Sequence, residues 1–288
     1  MSSRLGGGKQ TTMPERDSER AALLRTGASV PRIGLGVFRT PRGAATQAAV
    51  ESALALGYRH VDTARVYGNE ADVAEAIRRS GIPREEVFIT TKLWNEDQGA
   101  DTTRPAFEAS LARMQLDYVD LFLLHWPVAG KRLASWSVLE ALHAEGRARA
   151  IGVSNFMVPH LEELAAHASV LPHVNQIEAS PFHQQADVRA WCRERDILVE
   201  AYSPLTKGRK LDHPVVTEVA SAVGCTPAQV LLRWCLEREL VPLPKSMNPE
   251  RQRENLETFA LSLGEAQLAA LDALDEGLTT GWDPRGAP

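Results

Sequence analysis

The sequence is short of cysteine and lacks both a net positive charge and an apolar amino terminus. Its three cysteines, Cys192, Cys225 and Cys235, are odd in number and lack metal-ligand spacing, which favours reduced thiols. The net charge of −5 is atypical of a nucleic-acid-binding surface. Residues 1–20 contain no apolar run, so they predict neither a signal peptide nor a membrane span. We therefore expect a cytoplasmic protein with no nucleic-acid or membrane partner.

Motifs for metal and phosphate binding are also lacking. There is no HExxH sequence, and His160 and His167 have no evident third ligand, so we expect surface histidines and no metal. The run Gly6-Gly7-Gly8-Lys9 continues with Gln10 rather than Ser or Thr, and no strand precedes it. Residues 1–20 are instead predicted to form a disordered tail.

Strand and helix patterns alternate from residue 21 onward, without a linker, in a chain that is 44% hydrophobic and 24% charged. A short β-hairpin is predicted over residues 21–30, and eight strand-like runs follow. These runs are Ile33–Gly36, His60–Asp62, Val87–Thr91, Tyr118–Leu124, Ala150–Val153, Val174–Ile177, Leu198–Ala201 and Val241–Pro244. Eight strands that each lead to a helical pattern within about 250 residues predict a single α/β domain over 21–288, a (β/α)8 TIM barrel.

A doubly wound dinucleotide-binding fold is disfavoured. The segment from Gly34 to Arg39 begins like the glycine fingerprint of such folds, but it lacks the third glycine and no helix pattern starts there. A nicotinamide cofactor would therefore have to bind at the rim of the barrel.

Reactive side chains follow three successive predicted strands. Asp62 ends one strand, with Tyr67 five positions later, and Lys92 and His125 each come directly after the next two. If these strands are parallel neighbours, their carboxyl ends meet at one rim and the four side chains gather there. This arrangement suits an acid-base site.

Seven motifs resemble those of the aldo-keto reductase superfamily and occur in the family's order. They are GYRHVDTARVYGNE at 57–70, TTKLW at 90–94, LLHWP at 123–127, IGVSNF at 151–156, NQIE at 175–178, AYSPL at 201–205 and PKSMNPERQREN at 244–255. The chain looks most like the bacterial branch that includes the 2,5-diketo-gluconate reductases. The resemblance implies a (β/α)8 barrel that reduces aldehydes and ketones, with keto sugars as candidates, using NADPH.

Carbonyl reduction needs a hydride on carbon and a proton on oxygen, and the cofactor supplies the hydride. A tyrosine with an unperturbed pKa of about 10 is a weak acid, but a nearby ammonium lowers the pKa of a phenol. We expect Lys92 to act on Tyr67, the general acid, while Asp62 holds Lys92 and His125 donates a hydrogen bond to the carbonyl oxygen. These roles coincide with the catalytic tetrad that the resemblance implies. His60 lies one layer deeper than Asp62, and we expect a core histidine without a role.

Cofactor residues are predicted on the later strand ends. Ser154, Asn155 and Gln176 suit the nicotinamide carboxamide, which both donates and accepts hydrogen bonds. Tyr202 is placed to stack on the nicotinamide ring. Ser203 and Leu205 are expected along the pyrophosphate. Lys207 either joins them or belongs to a solvated basic loop.

An anion cluster near the last strand predicts NADPH rather than NADH. Lys245, Ser246 and Arg251 flank this strand and the start of a short helix, where they could bind the 2′-phosphate. By the family resemblance, Glu254 and Asn255 would reach the adenine.

Aromatic residues beyond three strand ends predict an apolar substrate pocket, formed by Phe38, Trp94 and Trp126. Trp282 would either close over this pocket or belong to a frayed tail.

Two other functions remain open from the sequence. A barrel lyase could use Lys92 as a Schiff-base nucleophile, and a regulatory subunit could bind the cofactor with only incidental turnover. The sequence does not identify the physiological carbonyl, and a monomer is expected.

Overall fold

The computed structural model describes residues 20–286. The predicted disordered tail therefore lies outside the described residues except for Arg20, and so does the Gly6–Lys9 run. The description begins with an antiparallel hairpin of β1 (Ala21–Leu23) and β2 (Ser29–Pro31), as predicted. Leu24 and Val30 of this hairpin pack against Phe88 and Val174, which begin two of the later strands. The hairpin thus covers the end of the barrel opposite the carboxyl ends of the strands.

Eight further strands and ten α-helices alternate along the described residues. The strands are β3 (Leu35–Gly36), β4 (His60–Asp62), β5 (Phe88–Leu93), β6 (Val119–Leu124), β7 (Ala148–Ser154), β8 (Val174–Glu178), β9 (Leu198–Tyr202) and β10 (Val241–Leu243). The helices are α1 (Ala44–Leu56), α2 (Glu70–Ser80), α3 (Thr103–Met114), α4 (Arg132–Ala144), α5 (Val158–Ala165), α6 (Ala186–Arg193), α7 (Pro214–Val223), α8 (Pro227–Glu237), α9 (Pro249–Glu257) and α10 (Glu265–Asp272).

All eight strands from β3 to β10 are parallel and neighbour one another in chain order. The first and last strands also meet, because the amide of Gly34 donates to Pro242 O and that of Gly36 to Pro244 O, each over 3.1 Å. The predicted (β/α)8 barrel is confirmed, and every strand directs its carboxyl end to the same rim.

Two glycines, Gly34 just before β3 and Gly36 at its end, permit the close approach that closes the barrel. A Cβ at Gly34 would lie 2.6 Å from Leu243 Cδ2 and 2.8 Å from His60 Nδ1. A Cβ at Gly36 would lie 3.1 Å from the backbone oxygen of Leu243. The glycine pair that superficially suggested a phosphate-binding turn therefore serves strand packing.

The strands alternate between an inner face and an outer face that the helices cover. In β6, Leu121 and Leu123 point to the cluster beneath the hairpin, whereas Phe122 and Leu124 pack with the helices. The start of α8 follows its sequence signal, since Thr226 caps the helix and Pro227 is its first residue.

Most of the predicted strands have a boundary that is wrong by one or two residues. Lys92 lies within β5 rather than after it, because its backbone still pairs with Leu123 of β6. Ser154 is likewise the last residue of β7. The first barrel strand comprises only Leu35 and Gly36. From the sequence alone, the first polar residue after an apolar run is expected to follow the strand. The backbone hydrogen bonds between strands nevertheless continue through such a residue.

No single helix within residues 20–286 has the length and hydropathy needed to cross a membrane. Two consecutive helices, Pro214–Val223 and Pro227–Glu237, reach the length and apolar composition of a membrane span only when taken together, and they are bent by 87° relative to each other. Both of these helices bury residues in the core, Val216 and Trp234 among them.

Candidate active site

Lys92 and Asp62 form a buried ion pair at the rim of the barrel. Lys92 Nζ donates to both carboxylate oxygens of Asp62, each over 2.7 Å, and to Thr63 O over 2.9 Å. The Lys92 side chain has no exposed surface and that of Asp62 is 6% exposed. The neighbouring strands β4 and β5 therefore place the two charges as the sequence predicted.

Tyr67 is held beside this pair by the chain that follows β4. A short 3-10 helix, Arg65–Tyr67, ends at Gly68, whose φ of 69° is in the left-handed region. Buried Asn69 accepts a hydrogen bond from Thr63 Oγ1 and donates one to Val37 O, which ties this loop to the barrel. The Tyr67 hydroxyl lies 3.4 Å from Lys92 Nζ.

The charge balance at Tyr67 differs from the prediction. Burial is the largest influence and raises the pKa of Tyr67 on balance, although the Lys92 ammonium lowers it. The expected net decrease is therefore wrong for this structure, because the effect of burial on the phenol outweighs that of the nearby ammonium. Burial acts to lower the pKa of Lys92, but Asp62 and Tyr67 outweigh this and the pKa of Lys92 is raised. At neutral pH the site thus holds a protonated phenol beside an ammonium.

His125 follows β6 and faces the same space. Its ring centroid is 5.8 Å from that of Tyr67 and 5.3 Å from that of Trp94. Burial, followed by the charge of Lys92, lowers the pKa of His125 well below 6.5. Its Nδ1 has no hydrogen-bond partner among the described residues. The imidazole is therefore neutral, with one N–H to donate to a ligand.

The residues predicted to bind a carboxamide are brought together next to the tetrad. Asn155 Nδ2 donates to His125 O, and the Tyr202 hydroxyl donates to Asn155 Oδ1 over 2.7 Å. Asn155 has a φ of 65°, a conformation that asparagine tolerates better than most residues. Ser154 Oγ donates to Gln176 O, and Gln176 Nε2 donates to Asp62 Oδ2 over 2.8 Å. Amide groups fixed in this way, beside a neutral imidazole and a phenol ring, fit the nicotinamide end of a dinucleotide.

The predicted anion cluster lies where β10 leads into α9. Asn248 caps this helix by accepting from two of its first backbone amides, so the positive end of the helix faces the same region. Ser246 is buried, whereas Lys245 and Arg251 are exposed. Neither of the two exposed side chains has an ion-pair partner among the described residues. Two unpaired cations at a helix amino terminus fit a phosphate.

Other predicted cofactor residues already have partners within the protein. Glu254 accepts a hydrogen bond from Thr226 Oγ1 over 2.6 Å, and Asn255 is buried beside Tyr58. Their contacts with adenine stay a prediction.

The loop after β9 is tied to the carboxyl-terminal segment. Ser203 and Lys207 have φ angles of 49° and 53°, which mark an irregular turn in which Leu205 is half-buried. Lys207 Nζ donates to Thr280 O over 2.5 Å, a contact that the sequence did not predict. Thr280 also donates through its backbone amide and its hydroxyl to Glu178, a buried residue that sequence reasoning missed. The signal for Glu178 was an acidic residue that ends an apolar strand.

The predicted pocket aromatics form a continuous group around His125. Phe38 is 47% exposed and its ring lies 4.9 Å from that of Tyr67. Trp126 stacks 6.5 Å from His125 and lies 4.6 Å from Trp282. Of the two possibilities for Trp282, the structure shows the tail folded onto this group rather than frayed.

Three other histidines are expected from the sequence to have no role in the chemistry. His60 is fully buried in the core, as expected. His160 is also buried, and its Nδ1 accepts from the amide of Met157, so the expectation of a surface residue is wrong. His167 is exposed.

Two cavities lie away from this chemistry. One, of about 650 Å³, is lined by Leu24, Arg25 and Arg189, and the other, of about 890 Å³, by Glu163 and His183. No tetrad residue lines either cavity, so the candidate site is identified by its reactive side chains and not by these two cavities.

Comparison with known proteins agrees with this geometry. The chain is 45% identical over 261 residues to the glyoxal reductase of Bacillus subtilis (strain 168), covering 91% of this chain and 95% of that protein. It is 46% identical over 277 residues to the morphine 6-dehydrogenase of Pseudomonas putida, covering 91% and 93%. The crystal structure of an aldo/keto reductase from Brucella melitensis superposes with a TM-score of 0.86 at 41% identity, covering 88% of this chain and 97% of that one.

Residues 32–276 also match the sequence model of the Aldo/keto reductase family. This family generally uses nicotinamide cofactors, which agrees with the predicted class of cofactor. With the barrel, the rim cluster and the relatives in agreement, the chain belongs to the aldo/keto reductase family of oxidoreductases.

Proposed function

We propose that this protein is an NADPH-dependent reductase of aldehydes and ketones, keto sugars among them, in which Tyr67 is the general acid. The observation that carries the proposal is the 3.4 Å contact between Lys92 Nζ and the Tyr67 hydroxyl, with Asp62 fixing the amine. A phenol beside a fixed ammonium is a proton donor whose conjugate base is stabilised as it forms.

The bound nicotinamide would supply the hydride to the carbonyl carbon. Tyr67 stays protonated at neutral pH because burial raises its pKa, so the proton is available when the carbonyl oxygen becomes an alkoxide. Lys92 then stabilises the phenolate that remains until solvent returns a proton. The neutral imidazole of His125 donates its N–H to the same oxygen and orients it. The balance is one hydride on carbon and one proton on oxygen.

NADPH is favoured over NADH by the two exposed cations at the start of α9. Lys245 and Arg251, with Ser246, supply an ammonium, a guanidinium and a hydroxyl for the 2′-phosphate. At the other end, Asn155 and Gln176 would hold the carboxamide and Tyr202 the ring face. Ser203 and Leu205 would lie along the pyrophosphate, and Glu254 and Asn255 near the adenine.

The aromatic group around His125 supports an apolar pocket for the carbonyl substrate. Phe38, Trp94 and Trp126 would line it, and partly exposed Phe38 and Trp282 leave it accessible. Relatives named for glyoxal reduction and morphine oxidation act on compounds of very different size, which supports broad carbonyl selectivity. We expect the protein to act as a monomer in the cytoplasm.

A Schiff-base lyase is disfavoured by the state of Lys92. A nucleophilic amine must lose its proton, whereas the pKa of Lys92 is raised and its Nζ already has three protein acceptors. A regulatory subunit that only binds the cofactor would bind NADPH without oxidising it.

Oxidation of NADPH with a panel of aldehydes, ketones and keto sugars tests the proposal. Tyr67→Phe should lower kcat by about 100- to 10 000-fold while NADPH still binds, because only the proton donor is lost. Tyr118→Phe is the matched control, since Tyr118 precedes β6 at the opposite end from His125 and its ring stacks on Arg149. Wild-type turnover in Tyr67→Phe would remove Tyr67 as the acid, and an inactive wild type that binds NADPH would favour the regulatory function.

A further inference from the structure

A second carboxyl group lies beneath the catalytic tetrad. Gln176 of β8 is paired in register with Glu200 of β9. Its Nε2 donates over 2.8 Å to Asp62 Oδ2 and over 2.8 Å to Glu200 Oε2. A single amide group therefore links the carboxylate that holds Lys92 to another acid that has no part in the proposed carbonyl reduction.

Glu200 is fully buried and only half of its carboxyl group is hydrogen-bonded. Its Oε1 has no hydrogen-bond partner among the described residues and lies 3.7 Å from His60 Nε2. The other ring nitrogen of His60, Nδ1, is 3.4 Å from Pro31 O, which can only accept. This contact places the imidazole hydrogen on Nδ1 and leaves Nε2 as an acceptor. Nε2 lies 3.2 Å from Thr90 Oγ1, whose hydroxyl can donate to it, and its lone-pair side is also turned toward Glu200 Oε1 at the longer distance of 3.7 Å.

We propose that Glu200 is a positioning residue that holds Gln176 through a neutral, protonated carboxyl, with the acid proton on Oε1 facing His60. In this arrangement the Gln176 amide is fixed between Asp62 and Glu200, while the buried charge of the site stays limited to Lys92 and Asp62.

The charges around Glu200 support this protonation state. Within residues 20–286, Lys92 is the cationic side chain whose charge acts on Glu200, and it is bonded to Asp62. Two ionised carboxylates sharing one amide repel each other in a buried site. Burial, followed by the charge of Asp62, raises the pKa of Glu200 to about 8, and burial lowers the pKa of His60 to about 4. On the other side of Glu200, β10 contributes only Val241, Pro242 and Leu243.

A consequence follows for cofactor preference, which rests on the proposed function. When Glu200 ionises, a negative charge appears beneath Gln176, the residue expected to bind the nicotinamide carboxamide. That charge favours the positively charged ring of NADP⁺ over the neutral ring of NADPH. The ratio of the two affinities should therefore shift toward NADP⁺ as the pH rises through about 8.

Glu200→Gln tests this consequence, because glutamine keeps the shape and stays neutral at every pH. The dissociation constants of NADPH and NADP⁺ are measured by tryptophan fluorescence from about pH 6 to about pH 10. In the wild type the ratio of the two dissociation constants should change with pH. The change should be on the order of tenfold for each unit by which the pKa of Glu200 differs between the NADPH complex and the NADP⁺ complex. In Glu200→Gln the ratio should be flat across this range. Glu194→Gln, on the exposed end of α6, is the control and should behave as the wild type.

Carbon-13 NMR of wild-type protein labelled at glutamate carboxyls tests the protonation state without any cofactor. One glutamate should titrate near pH 8, and that signal should be missing in Glu200→Gln. This measurement needs no cofactor, so it remains valid if the variant binds the cofactors poorly. It also remains valid if the wild type binds neither cofactor, a result that would overturn the proposed function but not the role of Glu200. A pH-dependent ratio that persists in Glu200→Gln, or no glutamate titrating above pH 7, overturns the role of Glu200.

Discussion

Replacing Asp62 with asparagine should destabilise the protein as well as inactivate it. The two side chains have nearly the same shape, but asparagine has one acceptor oxygen where Asp62 has two. Asp62 now receives two hydrogen bonds from Lys92 and one from Gln176. In the variant the amide nitrogen must face one of these donors, so a buried donor loses its acceptor and the Lys92 charge loses its counterion.

The size of the stability loss in Asp62→Asn follows from the burial of the Lys92–Asp62 pair. The Lys92 side chain has no exposed surface, so solvent cannot replace the lost carboxylate. Breaking a buried pair from one side costs about 3–5 kcal/mol, and the retained contact with Thr63 O favours the lower end. A loss of about 3 kcal/mol corresponds to a fall in Tm of roughly 6–12 °C for a domain somewhat smaller than this one.

The loss should depend on pH in a definite direction. In the wild type the pKa of Lys92 is raised above 10.5, so its stabilisation is complete below 10.5 and is lost as the pH rises through the folded pKa. In Asp62→Asn, burial is no longer opposed by Asp62 and the folded pKa falls below the unfolded one. The penalty is then largest at neutral pH and shrinks as the pH approaches 10.5.

Urea unfolding followed by circular dichroism at neutral and alkaline pH measures this difference. Exposed Asp117→Asn makes the same chemical change as a control. Adding Lys92→Met to Asp62→Asn should recover part of the stability, because no charge is then left buried without a partner. An Asp62→Asn variant within about 0.5 kcal/mol of wild type at neutral pH would refute the reasoning.

Three further predictions concern ligands. Arg251→Ala should weaken binding of NADPH by about tenfold or more and binding of NADH only slightly, which titration of both cofactors would measure. Arg253→Ala, also exposed on α9, is the control and should affect neither. Equal losses for both cofactors would exclude a contact between Arg251 and the 2′-phosphate. Because the pKa of His125 lies well below 6.5, kcat should not fall as the pH drops through 6.5, and His125→Gln should retain more turnover than His125→Leu; a drop centred at 6.5 would contradict a buried neutral imidazole. Trp282→Ala should raise KM for an aromatic aldehyde by about 2- to 10-fold but not for a two-carbon one, since Trp282 packs on Trp126 and a small substrate would not reach it. If the variant and the wild type have equal KM values for the aromatic aldehyde, Trp282 has no part in the pocket.

The placement of the tetrad could be predicted from the sequence because a parallel barrel turns chain order into spatial order. Asp62, Lys92 and His125 end three consecutive apolar runs, and consecutive strands of such a barrel are neighbours whose carboxyl ends share one rim. Tyr67 follows β4 by a short turn, which limits how far it can lie from Lys92. Local sequence patterns were therefore sufficient to predict the fold, the approximate strand positions and this cluster.

The balance of charges was decided only by the tertiary structure. Whether the pKa of Tyr67 rises or falls depends on the depth of burial against the distance to Lys92, and neither quantity is written in the local sequence. The same holds for Glu200, whose neighbours Gln176 and His60 lie 24 and 140 positions away along the chain. The environment of Glu200 exists only once the barrel has closed, because closure excludes water and brings the carboxyl groups of Asp62 and Glu200 to the same amide of Gln176.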